Sequence, residues 1–349
     1  MLSEFSTLQG PYLQDILDQP GALEDTLAHL EASAALESLV GKLHGGGFRN
    51  VVLTGMGSSF HALHPMNLAL IDQGFIPLMV ETGELVHYMK PLFDPKTLII
   101  AVSQSGQSAE MVRLLEMNHR RAAVIAVTNT PKSPLANCAD ATVFTRAGHE
   151  FSVSCKTYVT ALMALEWLTA ILCKRDLRRA HEELKQASPS VQTYLSDWKQ
   201  HVRSLTKLLN GTRQLFLVGR GRSRAAVETG ALIVKESAHF SAEGMSSAAF
   251  RHGPFEMLSE EILVLVFAGD EPTRSLNERL VEDIQQQGGR AELVGVDAVL
   301  APCQLPVAPR WVQPILEILP VQMITLALAA QAGREPGRFE LATKVTTRE

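Results

Sequence analysis

The stretch Thr97-Leu98-Ile99-Ile100-Ala101-Val102-Ser103-Gln104-Ser105-Gly106-Gln107-Ser108 decides how this chain is read. A continuous apolar run stops in small hydroxyl residues and opens directly into a helix-like segment. Such a strand-to-helix turn leaves first-turn N–H groups without intrahelical acceptors. Those donors, with the positive end of the helix dipole, suit a phosphate. Ser103, Ser105 and Ser108 add hydroxyl donors, and Gly106 lets the backbone approach closely. Taken alone, the same residues also describe an ordinary helix N-cap.

Turns of the same kind follow two other apolar runs. Val51 to Thr54 ends in Gly55-Met56-Gly57-Ser58-Ser59, and Leu215 to Val218 ends in Gly219-Arg220-Gly221-Arg222-Ser223, with an offset of 164 residues from Gly55 to Gly219. Each reads as strand, glycine turn and helix, the opening of a β-α-β unit. Helical spacing continues through Leu63, Leu68 and Ile71 after the first turn, and through Val227, Ala231, Val234 and Ala238 after the second. Further strands are predicted at Ile76–Glu81, Thr97–Ser103, Ala122–Val127, Ala141–Thr145, Ile262–Ala268 and Ala291–Val296.

Continuous apolar strands alternating with helices predict parallel sheets covered on both faces. The fold class expected is therefore α/β, with two doubly wound parallel-sheet domains in tandem. The expected divisions are an N-terminal helical segment at 1–34, a first domain at 35–175, a helical connection at 176–205, a second domain at 206–333 and a tail at 334–349. A long apolar helix is predicted over roughly Tyr158–Cys173, followed by a charged helical stretch from Lys174 to about Leu195.

Composition narrows the function classes. At 349 residues with 46% hydrophobic content, the chain can fill two cores of ordinary size. Its net charge of -5 comes from 32 basic and 37 acidic residues without a basic stripe, so no nucleic-acid partner is expected. The start, Met1-Leu2-Ser3-Glu4-Phe5, has no basic region leading into an apolar core, and no apolar run approaches the roughly eighteen residues of a membrane span. The expectation is a cytoplasmic protein with no membrane partner.

Cys138, Cys155, Cys173 and Cys303 have neither metal-ligand nor disulfide-framework spacing. His61 and His64 lie three apart on a predicted helix, with no carboxylate or thiolate nearby to complete a metal set. Neither glycine turn forms G-x-G-x-x-G, and no acidic residue follows about twenty positions on at a strand end, which ranks a nicotinamide site low.

Gly57-Ser58-Ser59, Ser103-Gln104-Ser105-Gly106, Lys235-Glu236 and Arg251-His252-Gly253-Pro254 occur in one order along the chain. Together they resemble the tandem sugar isomerase (SIS) domain family, in particular the isomerase half of glucosamine-6-phosphate synthase and the stand-alone glucosamine-6-phosphate deaminases. The likeness runs from Gln19-Pro20 to Lys344-Val345-Thr346. It implies a sugar-phosphate loop at Ser103, Gln104, Ser105 and Ser108, with Ser58 and Ser59 contributing from the first glycine turn. The second half has Phe267-Ala268-Gly269-Asp270-Glu271 at the matching place, an acidic pair where a phosphate would sit, so that half is expected to supply catalytic groups.

The resemblance also implies catalytic roles for Glu236, His252 and Lys344. A carboxylate at Glu236 would shuttle a proton between sugar C1 and C2. His252 would give and take the proton that ring opening requires, and Lys344, in the segment Leu341 to Thr346 with Thr343, would form an imine with the open-chain carbonyl. Read without the resemblance, Glu236 is a helix residue beside Lys235, His252 a loop histidine and Lys344 part of a solvated tail. The segment Glu150 to Thr157 resembles a loop that holds the sugar through backbone groups near Val153. Cys155 within it is read as structural.

The likeness implies no metal or organic cofactor, and a homodimer in which His252 reaches the partner's site. Two departures stand out: Ile233 replaces the synthase's extra lysine, and Leu2 stands where a glutaminase would have its cysteine. A chain without its own glutaminase is therefore expected. The function expected is a phosphosugar aldose–ketose isomerase or deaminase, most simply glucosamine 6-phosphate to fructose 6-phosphate plus ammonia. The alternatives are a deglycase of a phosphorylated fructosamine-type adduct and a non-catalytic sugar-phosphate sensor.

Overall fold

The computed structural model describes residues 6–341 and 343–346. Leu2, Ala342 and residues 347–349, which enter the expectations above, lie outside the described residues. The chain divides into two compact units, each built around one parallel sheet.

One unit comprises Gly21–His149, Lys156–Lys185 and the tail from Leu341. Its strands are β1 (Asn50–Gly55), β2 (Pro77–Glu81), β3 (Thr97–Val102), β4 (Ala123–Thr128) and β5 (Ala141–Phe144), ordered β2-β1-β3-β4-β5. Every pairing is parallel, with Thr54 opposite Ala101 between β1 and β3 and Val102 opposite Val127 between β3 and β4. β3 is buried from end to end, which explains its unbroken apolar sequence: a central parallel strand has a core on both faces.

The helix Ala109–Asn118 that follows β3 buries Met111 and Leu114, one helical turn apart, against Val52, Ile99 and Val124. Each such side chain contributes about 1.5–3 kcal/mol by leaving water. The other face of the sheet is covered in part by Lys156–Leu172, a helix apolar all round and buried throughout, which packs on β4 and β5.

The other unit comprises the chain up to Pro20, Glu150–Cys155 and Gln186–Glu340. Its strands β6 (Gln214–Gly219), β7 (Ala242–Ser246), β8 (Ile262–Phe267) and β9 (Arg290–Val294) are ordered β7-β6-β8-β9, again all parallel. This repeats the order of the first four positions in the other sheet. Val227, Ala231, Val234 and Ala238 all lie buried on the helix Arg224–Ala238, as their spacing predicts. Of the described helices, only Gln313–Gln331 is long and apolar enough to cross a membrane, and it is mostly buried in the protein.

Two details go beyond the sequence. The charged helical stretch predicted from Lys174 to about Leu195 is made of two helices, Leu177–Leu184 and Ala187–Ser196. Lys174 adopts φ 50°, Asp176 caps a new start through the amides of Arg178 and Arg179, and Pro189 sits in the first turn of the second helix, where its missing N–H costs nothing. β7 was not predicted, because Ala-Glu-Gly-Met-Ser has no β-branched residue and lies at a sheet edge.

Candidate active site

In the order β2-β1-β3-β4-β5 the chain reverses direction of winding between β1 and β3, so the loops leaving their carboxyl ends flank a crevice. Those loops are the glycine turn and the serine loop. A Cβ on Gly55 would stand 2.9 Å from the Val102 carbonyl oxygen, so the two turns approach as closely as a residue without a side chain allows. Ser58 and Ser59 lie on the short helix Gly57–His61, half-buried.

The serine loop is held from below. Ser103 is buried and its amide donates to the Val127 carbonyl at 3.1 Å, while the Gln104 carbonyl accepts from the Asn129 amide at 3.1 Å and from the Thr128 and Thr130 hydroxyls at 3.3 Å. The loop also satisfies its own backbone: the Gly106 amide donates to Ser103 Oγ at 3.1 Å and the Gln107 amide to Ser105 Oγ at 3.3 Å. Gly106 sits at φ 62°, and a Cβ there would meet Ser133 Oγ at 2.2 Å.

This corrects the reading of the donors. The loop amides of Gly106 and Gln107 are engaged by serine oxygens, and the first helical amide, Ala109, donates to the Thr346 carbonyl at 3.1 Å. A hydroxyl that accepts from an N–H keeps its own proton to donate. Ser103 and Ser105 therefore present O–H groups, and Ser108, the helix N-cap, makes no side-chain cap bond.

The Ala109–Thr346 bond has a second consequence. It docks the tail that carries Thr343 and Lys344 onto the start of the serine-loop helix, within one unit. Thr343 Oγ1 donates to the Val345 carbonyl at 2.9 Å, closing a local turn around Lys344, which is half-buried. Composition offers no signal for this docking, since the tail reads as polar and solvated.

In the other unit, Glu236 lies on the last turn of Arg224–Ala238, half-buried. The helix ends at His239, with φ 51°, and its Ser237 carbonyl accepts from the Gly337 amide at 3.0 Å. The Gly337 carbonyl in turn accepts from Ser152 Oγ, so the Val153 loop is tied to the helix end that bears Glu236. Val153 is buried, and the Cys155 amide donates to Glu150 Oε1 at 2.9 Å. Tyr12 lies beneath this group: burial first, then Cys155 and Glu236, hold its phenol well above the ordinary range.

His252 terminates the helix Ser247–Arg251 after β7 and is exposed, with Gly253 at φ 138° forming the turn beyond it. The structure thus gathers Ser58, Ser59, Ser103, Gln104, Ser105, Ser108, Thr343 and Lys344 in one unit. In the other it ties Glu236 to Val153, with His252 exposed on the same unit.

Sequence reasoning missed the surroundings of Asp270. Its carboxylate lies 3.2 Å from Arg310 Nε and 3.9 Å from Arg222 Nε, while Arg222 stacks on Trp311 and Ser223 donates to the buried Glu317. The Arg220-Gly221-Arg222 turn after β6 carried half of that signal, and the other half comes from far along the chain.

Comparison with known proteins fits this geometry. The SIS domain profile matches residues 48–171 and 208–296, one segment for each sheet. The glutamine–fructose-6-phosphate aminotransferase (isomerizing) of Pyrococcus horikoshii is 29% identical over 350 aligned positions, covering 96% of this chain and 57% of that protein. The chain therefore spans little more than half the length of such curated relatives.

Among solved structures, the C-terminal domain of glucosamine-fructose-6-phosphate aminotransferase from Francisella tularensis superposes with a TM-score of 0.83 at 20% identity, covering 93% of this chain and 97% of that one. Glucosamine-6-phosphate deaminase from Thermotoga maritima superposes with a TM-score of 0.77 at 18% identity, covering 97% and 100%. At these identities the superpositions speak for the fold. With both sheets wound in the same order and each covered by the family profile, the chain belongs to the SIS domain family and carries the domain twice.

Proposed function

We propose that this protein is a phosphosugar aldose–ketose isomerase of the deaminase type, converting glucosamine 6-phosphate to fructose 6-phosphate and ammonia. The observation that carries the reading is the docking of the Lys344 tail on the helix that opens from the serine loop, through Ala109 and Thr346. It puts a primary amine on the same compact unit as a cluster of hydroxyl donors suited to a phosphate. A remote phosphate held in that way orients the sugar and supplies binding energy for chemistry several atoms away.

In this reading the Ser103, Ser105 and Ser108 hydroxyls hold the phosphate, with Ser58, Ser59 and Gln104 at the rim. His252, from a second copy of the chain in a homodimer, opens the ring by moving the proton of the anomeric hydroxyl. The C1 carbonyl so exposed draws electrons from the adjacent C2–H bond. Glu236 takes the C2 proton and returns it to C1. Lys344 then displaces ammonia from the resulting C2 imine, and water hydrolyses the lysine imine, freeing the amine and leaving the ketose phosphate. The Val153 loop and Thr343 position the open-chain sugar.

Ile233 supports the deaminase direction over synthase chemistry. It is wholly buried in the helix that bears Glu236, so no amine can stand there without costly desolvation. The test is release of ammonia and ketose phosphate from glucosamine 6-phosphate, with Glu236→Gln and Lys344→Ala as controls. Release by wild type and its loss in both variants is the expected result. Thermal stabilisation by the sugar phosphate without release would instead favour the sensor reading.

A further inference from the structure

The second sheet has its own switch point, between β6 and β8, flanked by the Gly219–Ser223 turn and the Ala268–Glu271 turn. A cavity of about 370 Å³ opens there. Its polar lining is unlike the serine loop. Arg222 is buried, with its guanidinium carbon 3.9 Å from the Trp311 ring centroid, which fixes the plane of its donors. Asp270 is the N-cap of the helix Glu271–Gln286, but its carboxylate makes no cap bond and turns to Arg310 and Arg222.

Glu317, also buried, faces the same cavity. Ser223 Oγ donates to its Oε1 at 2.7 Å, and its buried Oε2 has no hydrogen-bond partner among the described residues. Burial, reinforced by Asp270 and opposed by Ser223 and Arg222, pushes this carboxyl up to about 8. At neutral pH it is protonated, and with Oε1 accepting from Ser223 the proton belongs on Oε2. The cavity therefore presents a neutral O–H donor beside guanidiniums, a surface that asks for an acceptor-rich ligand.

Charge decides what kind. Arg274 is paired with Asp297 at 2.7 Å and Glu271 is exposed, whereas Arg222 and Arg310 share the single carboxylate of Asp270, so the two guanidiniums beside the neutral Glu317 carry one charge more than their partner. That suits a monoanion better than a dianionic phosphate. The remaining wall is aliphatic, with Val296, Leu305 and Ala308.

We propose that this cavity is a second ligand site, for a small organic monocarboxylate. Arg222 and Arg310 pair with the carboxylate, Glu317 Oε2 donates to it, and the aliphatic wall receives the carbon chain. The site is separate from the carboxylate assigned to proton transfer: Glu236 lies twelve residues beyond Arg224 on the same helix, about 18 Å along its axis. The proposal therefore does not rest on the deaminase reading.

Calorimetric titration of the full chain with butyrate, and separately with inorganic phosphate, tests it in wild type, Arg222→Met, Arg310→Met and Glu317→Gln, below and above pH 8. Butyrate binding is expected to weaken roughly tenfold or more in each arginine variant. In wild type it is expected to fall as the pH rises past 8, because ionised Glu317 no longer donates and repels the ligand. Glu317→Gln is expected to bind without that pH dependence. Arg310 stands at the exposed mouth, so its variant remains informative if Arg222→Met does not fold. Absence of butyrate binding, or binding indifferent to both arginines, overturns the site. Arginine-dependent binding of phosphate without butyrate overturns the carboxylate assignment.

Discussion

Gly106 and Glu236 each concentrate one part of the account in a single position. At Gly106 the backbone is left-handed and a methyl group would strike Ser133 Oγ, a buried hydroxyl that cannot swing away because it caps the next helix through the Ala136 amide. Gly106→Ala is expected to lower stability by about 1–3 kcal/mol and to raise KM for the phosphosugar, read by thermal unfolding and steady-state kinetics. An unchanged KM would remove the loop from phosphate binding. Glu236→Gln keeps the shape of the half-buried helix end but cannot carry the proton. Its kcat is expected to fall by about two to four orders of magnitude with substrate binding retained, a split that a merely structural role would not produce.

Elements rather than single residues decide the pH response of the second unit. Glu317 on Gln313–Glu317 is held protonated by its burial between that helix and the β6 and β8 turns. Its folded pKa of about 8 lies above the ordinary carboxyl value of 4.5, so its contribution is fully present below 4.5 and is lost as pH rises towards 8. The difference in melting temperature between Glu317→Gln and wild type is therefore expected to grow in favour of the variant between those values and to level off above. A flat difference across that window would mean the carboxyl is ionised in the folded protein.

The same scale shows what was legible. β1, β3, β4, β6 and β8 could be read because a central parallel strand must be apolar on both faces, and the turns could be read because only small residues fit where β1 and β3 diverge. The Asp270 cluster could not, since Arg222, Asp270, Arg310 and Glu317 meet only through the tertiary fold. Nor could the docking of Thr346 on Ala109, which is a backbone bond that no side chain announces.

For the whole molecule, the proposed homodimer makes a specific demand. If His252 serves a partner's site, mixing inactive Glu236→Gln with inactive His252→Ala chains under conditions that exchange subunits is expected to restore part of the activity, because one of the two sites in each mixed dimer is then intact. No recovery after verified exchange would place His252 in its own chain's site or outside the chemistry. The exposure of His252 at the end of the Ser247–Arg251 helix is what makes such sharing sterically open.

The most direct test of the central claim is deuterium incorporation when the protein acts on glucosamine 6-phosphate in D2O, followed by proton NMR of the product. A proton moved between C2 and C1 by Glu236 exchanges with solvent in part, so the account predicts fructose 6-phosphate deuterated at C1, and neither product nor label with Glu236→Gln. Unlabelled sugar phosphate that still binds the serine loop would contradict it.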